Sequence, residues 1–352
     1  MDVAIHVRPS WARWSPLDVI DRGLGGSETA VVRVAEKIAA RGHDVTVYAD
    51  VQKMDVDGVR YRDHGRFSDR RHRDLVISLR DPAFFDRVRA AGTKALWMQD
   101  AHHGLELTTD RARELDAVMV LSRWHERFVL RAYPFLVGKT RLTRNAIIPD
   151  FFASMPIRHL HRAIYSSSFD RGLDLLIEWW PDVRERVPDA ELVFCQSPAY
   201  ELLTRDPAFE SLSRRVKDLR AATEGVVNLG SLAQPRLAKE MQRSGAWLAP
   251  SWITRLDVAF HETFCIGAVE AAAAGCHRVM SRWGALAERD EAPATTWYRD
   301  GDRPVKEHWV EAIIAALLHD GGHEPSAAAL SMTWDEVADD VLSVARESTA
   351  FV

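Results

Sequence analysis

Glu262 and Glu270 stand with seven residues between them in HETFCIGAVEAAAAGC, the stretch from His261 to Cys276. From Phe264 to Ala274 the residues are mostly small or apolar and the run stops at Gly275, the pattern of a tightly packed buried helix ending in glycine. Glu270 falls inside that run. A carboxylate among alanines costs free energy unless something hydrogen-bonds to it, and the hydroxyls of a sugar or ribose would do so. Glu262 falls just ahead of the expected helix, where the N–H groups of Phe264, Cys265 and Ile266 lack intrahelical partners and favour an anion such as a diphosphate. One segment thus offers two polyol acceptors and a phosphate cradle. A structural alternative stands beside this: Glu262 complementing the helix dipole and Glu270 held in a buried ion pair.

Three further constellations follow predicted strands. Gly23, Gly25, Gly26 and Ser27 lie between the first strand and the first long helix, where backbone can approach a phosphate closely. A structural turn explains these glycines equally well. Asp50, at the end of the next strand, also raises a dinucleotide-binding reading, but Glu28 occupies the third-glycine position of that fingerprint. Arg171, in YSSSFDRGLDLL, is an always-charged guanidinium placed to neutralise a leaving diphosphate, or an exposed ion-pair partner. WMQDAHHG carries Gln99, Asp100, His102 and His103, types that orient a sugar or an acceptor hydroxyl. The adjacent histidines suggest metal binding, yet no third ligand with suitable spacing accompanies them.

These residues sit in a chain of 352 residues, long enough for two domains of about 100–200 residues each. A net charge of −5 argues against a general nucleic-acid binder while leaving room for small anionic ligands. Cys195, Cys265 and Cys276 fit neither a disulfide framework nor a zinc site, so a reducing cytoplasm is the expected setting. No run of about 18 apolar residues occurs, so no transmembrane segment is expected.

The elements that must position these groups alternate between β-branched runs and amphipathic stretches, which builds parallel βαβ units and an α/β class. Strands are expected at Val3–Val7, Val45–Tyr48, Leu75–Leu79, Lys94–Met98 and Ala117–Leu121. Ser27 is expected to cap a helix whose apolar face is Val31, Val34, Ala35 and Ile38. The polar, proline-bearing passage RNAIIPDFFASMPIRHLHR reads as the crossing between domains. Beyond it, strands at Ala163–Tyr165, Glu191–Phe194, Val226–Asn228, Ala246–Ala249 and His277–Met280 alternate with helices at Leu173–Arg186, Pro235–Ser244 and Phe264–Ala274. The expected division is residues 1–154, 155–332, and a last amphipathic helix within 333–352 that packs back on either part. In open parallel sheets, ligands sit beyond the carboxyl ends of the strands.

Taken in order, these segments resemble the retaining GT-B glycosyltransferases of family 4, also called group 1. GLGGSETAVVRVAEKIAARGHDVTVYAD is similar to that family's glycine loop, helix and second strand. VLSRWHERFV and RNAIIPDFF resemble its passage between domains, SSSFDRGLDLLIEWWPDVRERVPDAELVF the first unit of its donor domain, NLGSLAQPRLAKEMQRSGAWLAPS the stretch beside the nucleotide base, and HETFCIGAVEAAAAGC with SRWGALAE its E-x7-E signature and following loop. The resemblance implies two Rossmann-like doubly wound domains facing across a cleft, and transfer of a hexose-type sugar from a nucleotide-diphosphate sugar to an unidentified acceptor, with retention and no metal. It implies that Glu262 contacts the donor sugar, that Glu270 holds the ribose, and that main chain at Phe264, Cys265 and Ile266, with Gly25 and Gly26, embraces the diphosphate. Arg171 stands where the family has a lysine. Gly230 and Ser231 fall beside the base, Asp100 and His102 are catalytic candidates that orient the sugar or an acceptor hydroxyl, and loops such as Arg8–Asp21 and Tyr61–Arg73 would take the acceptor.

The family's second cation has no counterpart near Tyr165, and Gln99 stands where many members carry a histidine, a role His102 would take over. Three competing functions stay open at this level: a nucleotide-sugar epimerase, a non-catalytic nucleotide-sugar or glycan-binding protein, and an NAD-dependent oxidoreductase resting on the glycine loop and Asp50.

Overall fold

Continuous runs of buried β-branched and apolar residues form the centres of two sheets. In the computed structural model, which describes residues 1–9, 13–101, 107–196, 206–251, 261–290, 295–298 and 304–349, the chain divides into two compact units. The first comprises residues 1–17, 26–146 and 333–352, and the second residues 18–25 and 147–332. The crossing therefore falls at 146/147, earlier than expected, and a short piece around the glycine loop belongs to the second unit.

The first unit is built on an eight-stranded sheet: β1 (Asp2–Val7), β2 (Asp44–Ala49), β3 (Met54–Val56), β4 (Val59–Asp63), β5 (Arg73–Leu79), β6 (Ala91–Trp97), β7 (Ala117–Val120) and β8 (Thr140–Leu142), in the order β3-β4-β2-β1-β5-β6-β7-β8. All neighbours run parallel except β3 and β4. Val3, Ala4, Ile5 and His6 of β1 are all buried, as expected of a strand covered on both faces. The β3–β4 hairpin turns on Asp57 and Gly58, both at positive φ (51° and 77°), the pairing a two-residue type I′ turn requires. Tyr61 consequently lies in β4 with its side chain fully buried, so the beginning of Tyr61–Arg73 is not the acceptor loop expected from sequence.

The helix after β1 spans Gly26–Ala40 and buries Val31, Val34, Ala35 and Ile38. Because it begins at Gly26, Ser27 sits inside the first turn rather than at its cap, and its hydroxyl accepts from Arg80. The C-terminal helix Trp334–Thr349 packs on this one in the first unit, tied by Lys37 to Asp335 at 2.8 Å and Arg41 to Asp339 at 3.1 Å.

The second unit has six parallel strands: β9 (His159–Tyr165), β10 (Glu191–Phe194), β11 (Val226–Asn228), β12 (Ser244–Ala249), β13 (His277–Ser281) and β14 (Thr295–Tyr298), ordered β11-β10-β9-β12-β13-β14. Trp180, Leu176 and Val183 of the Leu173–Arg186 helix join Phe194, Leu248 and Trp309 in its core. Sequence order reverses between β9 and β12, the arrangement that opens a crevice at the strands' carboxyl ends. Arg158 donates to the carbonyls of Ser244 and Ala274 (2.6 Å to Ala274), placing a cation at the C-terminus of the Ile266–Ala273 helix, where the dipole favours it.

Trp334, fully buried, gives a local test of this division. Trp334→Ala is expected to cost about 3–5 kcal/mol. Hydrogen exchange should then quicken in the Gly26–Ala40 helix and leave the Leu173–Arg186 helix unchanged. Equal loosening of both helices would contradict the assignment of the C-terminal helix to the first unit.

Candidate functional site

On the second unit, the turns leaving β9, β12 and β13 are fastened to one another by short polar contacts. Trp247 Nε1 donates to Ser166 Oγ at 3.0 Å, and Ser281 Oγ donates to the Ser251 carbonyl at 2.5 Å. The Tyr165 hydroxyl, buried at the end of β9, donates to the Ser168 carbonyl at 2.5 Å, and Arg171 N–H donates to the same carbonyl at 3.0 Å. This tight turn aims Arg171 at Glu262: Nη1 to Oε1 is 3.2 Å across 91 residues of sequence. Burial disfavours the guanidinium charge, but Glu262 and Asp170 outweigh it and hold the Arg171 pKa above its usual value.

Glu262 is itself 8% exposed, and its main chain is clamped by the loop after β13. Ala285 N–H donates to the Glu262 carbonyl at 2.7 Å, and Gly284 (φ +63°) packs so closely that a Cβ would lie 2.4 Å from the same oxygen. The glycine in SRWGALAE therefore serves to position Glu262. The helix begins at Ile266, two residues later than expected, because Cys265 adopts a left-handed conformation (φ 67°) that interrupts the helical run. Phe264 and Cys265 thus precede the helix, and the N–H groups of its first turn begin at Ile266. Burial, then the neighbouring Glu262 charge, pushes the Cys265 thiol well above its ordinary pKa. Phe264 is buried under Arg289, whose guanidinium carbon lies 4.3 Å from the ring centroid. Arg289 is a buried cation missed in the sequence, where it follows the SRWGALAE loop and lies far from the position near Tyr165 where a second cation was sought.

Glu270 behaves differently from Glu262. Its residue keeps an opening to solvent, yet the surrounding protein desolvates the carboxyl enough to push its pKa up to about 7, with burial as the sole cause. Among the described residues nothing hydrogen-bonds or ion-pairs with this carboxylate. Its charge reaches Cys195, just beyond β10. The structure thus divides the two acids: one is locked to an arginine and the other has no partner among the described residues.

Gly230 has positive φ (72°) with open space where a Cβ would be, and its N–H donates to Asn228 Oδ1 at 2.8 Å. Ser231 Oγ donates to the Arg22 carbonyl at 2.7 Å. Gly23 (φ +88°) presses on Leu232, where a Cβ would meet the carbonyl oxygen at 2.4 Å. For Gly23, then, the structural-turn reading holds, whereas Gly25 and Gly26 are exposed, with the division between units passing between them.

At the carboxyl edge of the first unit's sheet, Asp100 is exposed and paired with Arg80, a residue the sequence reading passed over although it directly follows β5. His125, fully buried, accepts from Leu121 N–H at Nδ1 (3.2 Å), which leaves Nε2–H to donate to the Asp100 carbonyl (3.1 Å). Burial keeps His125 neutral, with its pKa lowered to about 4. Gln99 is buried and forms a reciprocal amide pair with Asn145 at 3.2 and 3.4 Å, so it faces the interior. His102 lies outside the described residues.

A surface cavity of about 940 Å³ lies elsewhere on the second unit, at the amino ends of β9 and β10, lined by His159, Arg162, Asp189 and Glu191 among others. Its charges are already matched within the unit, Arg162 with Glu191 and Glu240, and His161 with Asp189. The carboxyl edge is the better candidate on chemistry. Among the described residues no group of three or more His, Cys, Asp or Glu could hold a metal ion, and no helix is long and apolar enough to cross a membrane.

No protein-family model matches the sequence, and no curated protein matches it. Solved structures do match, over essentially the whole chain. A glycosyltransferase from Rickettsia africae ESF-5 is similar with a TM-score of 0.71 and 13% identity, covering 99% of this chain and 98% of that one. The fold is GT-B. An α,α-trehalose 6-phosphate synthase from Burkholderia multivorans (TM-score 0.69, 11% identity, 99% of each chain) and a sucrose-phosphate synthase from Thermosynechococcus elongatus (0.67, 14%, 100% of each) share it.

The Glu270 environment generates a stability prediction with a definite sign. A carboxyl whose folded pKa is raised from 4.5 to about 7 must ionise against its surroundings, so it progressively removes stability as pH rises through that window, and the full loss is present above it. Glu270→Gln is therefore expected to stabilise the protein by on the order of 2 kcal/mol at pH 8 and by nothing below pH ~4. Denaturant titrations at the two pH values read this directly. A destabilised variant at pH 8 would mean that the carboxylate has a cationic partner.

Proposed function

We propose that this chain is a retaining glycosyltransferase that moves a hexose-type sugar from a nucleotide-diphosphate sugar to an acceptor without requiring a metal ion. The observation that carries the reading is the pairing pattern at the second unit's ligand edge: Glu270 desolvated with no partner among the described residues, and Glu262 held on Arg171 at 3.2 Å. A carboxylate kept at that cost is explained by a ligand that hydrogen-bonds to it, and the ribose diol of a nucleotide meets the requirement. The GT-B fold and the ordered sequence resemblance support the same class.

In this reading Glu270 accepts from the ribose hydroxyls and Glu262 from hydroxyls of the donor sugar. The N–H groups opening the Ile266–Ala273 helix and the Arg171 guanidinium face the diphosphate, and Gly230 and Ser231 flank the base. The acceptor hydroxyl oxygen attacks the anomeric carbon from the face that the phosphate leaves. The carbon–oxygen bond to phosphate breaks, and the acceptor's proton passes to the departing phosphate oxygen, giving a nucleoside diphosphate and a product of retained configuration. Fixed positive charge aimed at that developing anion lowers the barrier without reorganisation. Asp100, on the first unit, receives the acceptor. His102 is assigned alongside it on the sequence resemblance alone.

A thermal-shift series with UDP, GDP, ADP and dTDP is expected to single out one nucleoside diphosphate. At about a hundred times its Kd it should stabilise the protein by about 2.7 kcal/mol. Arg171→Ala and Glu262→Ala should each cut transfer from the matching nucleotide sugar by about 10²–10³-fold while leaving the protein folded. A flat response to all four nucleotides would remove the donor site, and undiminished transfer by either variant would remove that residue's role.

A further inference from the structure

Arg80 is one of three non-glycine residues with positive φ among those described (φ 63°), and it stands immediately after β5, at the sheet edge where ligands bind. Its backbone is pinned there, N–H donating to the Trp97 carbonyl at 3.1 Å. The side chain then crosses to two neighbouring loops. Nη2 donates to Ser27 Oγ in the first turn of the helix that follows β1. Nη2 also donates to Oδ1 of Asp100, beyond the end of β6, at 3.2 Å, and Nε lies in ion-pair contact with Oδ2 at 2.7 Å, so the guanidinium touches both carboxylate oxygens.

Asp100 is thereby held at both ends, its carboxylate by Arg80 and its main-chain carbonyl by His125. Yet 60% of its side chain remains exposed. An exposed ion pair returns little stability, less than a left-handed non-glycine residue gives up, so folding does not account for the arrangement. Strain retained beside a fixed polar group is the usual mark of a pre-organised ligand site. One hydrogen bond and one ion-pair contact fix the carboxylate without using up its acceptor capacity, and with 60% of the side chain exposed its two oxygens can still accept from adjacent hydroxyls.

We propose that Arg80 is a positioning residue for a hydroxyl-binding site on the first unit, in which the Asp100 carboxylate receives adjacent hydroxyls of a sugar acceptor. The assignment of these hydroxyls to an acceptor rests on the transferase reading. The site belongs to the fork geometry of arginine: a lysine would supply the charge but hold only one oxygen. Ser27 fixes the guanidinium plane from the other side.

Saturation-transfer NMR on the full chain tests this with methyl α-D-glucopyranoside, methyl α-D-mannopyranoside and methyl α-D-galactopyranoside as probes, and glucose 6-phosphate as the charged comparison. At least one glycoside is expected to bind the native protein at millimolar concentration. Arg80→Lys, Arg80→Met and Asp100→Asn should each weaken it about tenfold or more. Arg113→Ala, which removes an exposed cation paired with Asp110, should leave it within about twofold. The thermal response to nucleoside diphosphate should be unchanged in every variant, which a general loss of structure would not allow. Full affinity in Arg80→Lys or Asp100→Asn overturns the proposal. So does binding of no glycoside, or glucose 6-phosphate binding tenfold tighter than every glycoside in native and variant proteins alike. A missing nucleotide response in the native protein would instead strike the transferase reading, and the NMR result would still decide whether this edge binds hydroxyls.

Discussion

The desolvated carboxyl of Glu270 sets the terms for everything around it. It sits on a helix of eight residues that is otherwise isoleucine, glycine, valine and alanine. Small side chains let that helix press against the sheet, with Gly267 close to Trp247 and Ser166. The same smallness means that none of the helix's other side chains can pair with the acid. A pKa near 7 is the physical record of that environment, and it marks a group kept for something other than stability.

The neighbouring acid shows the opposite arrangement. Glu262 is fixed by Arg171 on one side and by the Gly284 loop on its backbone, so its carboxylate has a set position and a compensated charge. Two glutamates of identical chemistry thus receive different environments from a single turn of backbone, the left-handed Cys265, which ends the loop carrying one and begins the helix carrying the other. The first unit repeats the principle with Arg80 and Asp100. In both units a strand ends, the chain turns sharply, and an arginine secures a carboxylate at the edge of a parallel sheet.

Much of this was legible in the sequence because parallel strands buried on both faces are nearly uninterrupted apolar runs. β10, β11 and the Leu173–Arg186 helix fall where the alternation placed them. The misses have separate causes. β3 and β4 are short and polar on their exposed sides, and their Asp57–Gly58 turn, a strong hairpin signal, was passed over. β8 has only three residues, too few for any periodicity to register. The start of the Glu270 helix was misplaced because the φ of a cysteine is not written in its side chain. Ser27 read as a cap because cap preferences are local, whereas its hydroxyl is claimed by Arg80, 53 residues away in sequence. Arg289 and Arg80 were overlooked for a related reason: an arginine after a strand is common, and only three-dimensional contacts separate a fixed guanidinium from a solvated one.

The proton balance of ligand binding tests the role of Glu270 most directly. Hydroxyls donating to this carboxylate favour its ionised form, so nucleoside diphosphate binding near pH 6.5 should expel a fraction of a proton that the free protein holds there. Calorimetry in two buffers of different ionisation enthalpy measures that number. The ligand's terminal phosphate releases protons of its own, so the expected result is a larger proton release at pH 6.5 in the native protein than in Glu270→Gln, a difference that vanishes at pH 8.5. The same proton count for native and variant protein at both pH values would contradict the assignment of Glu270 to the ligand.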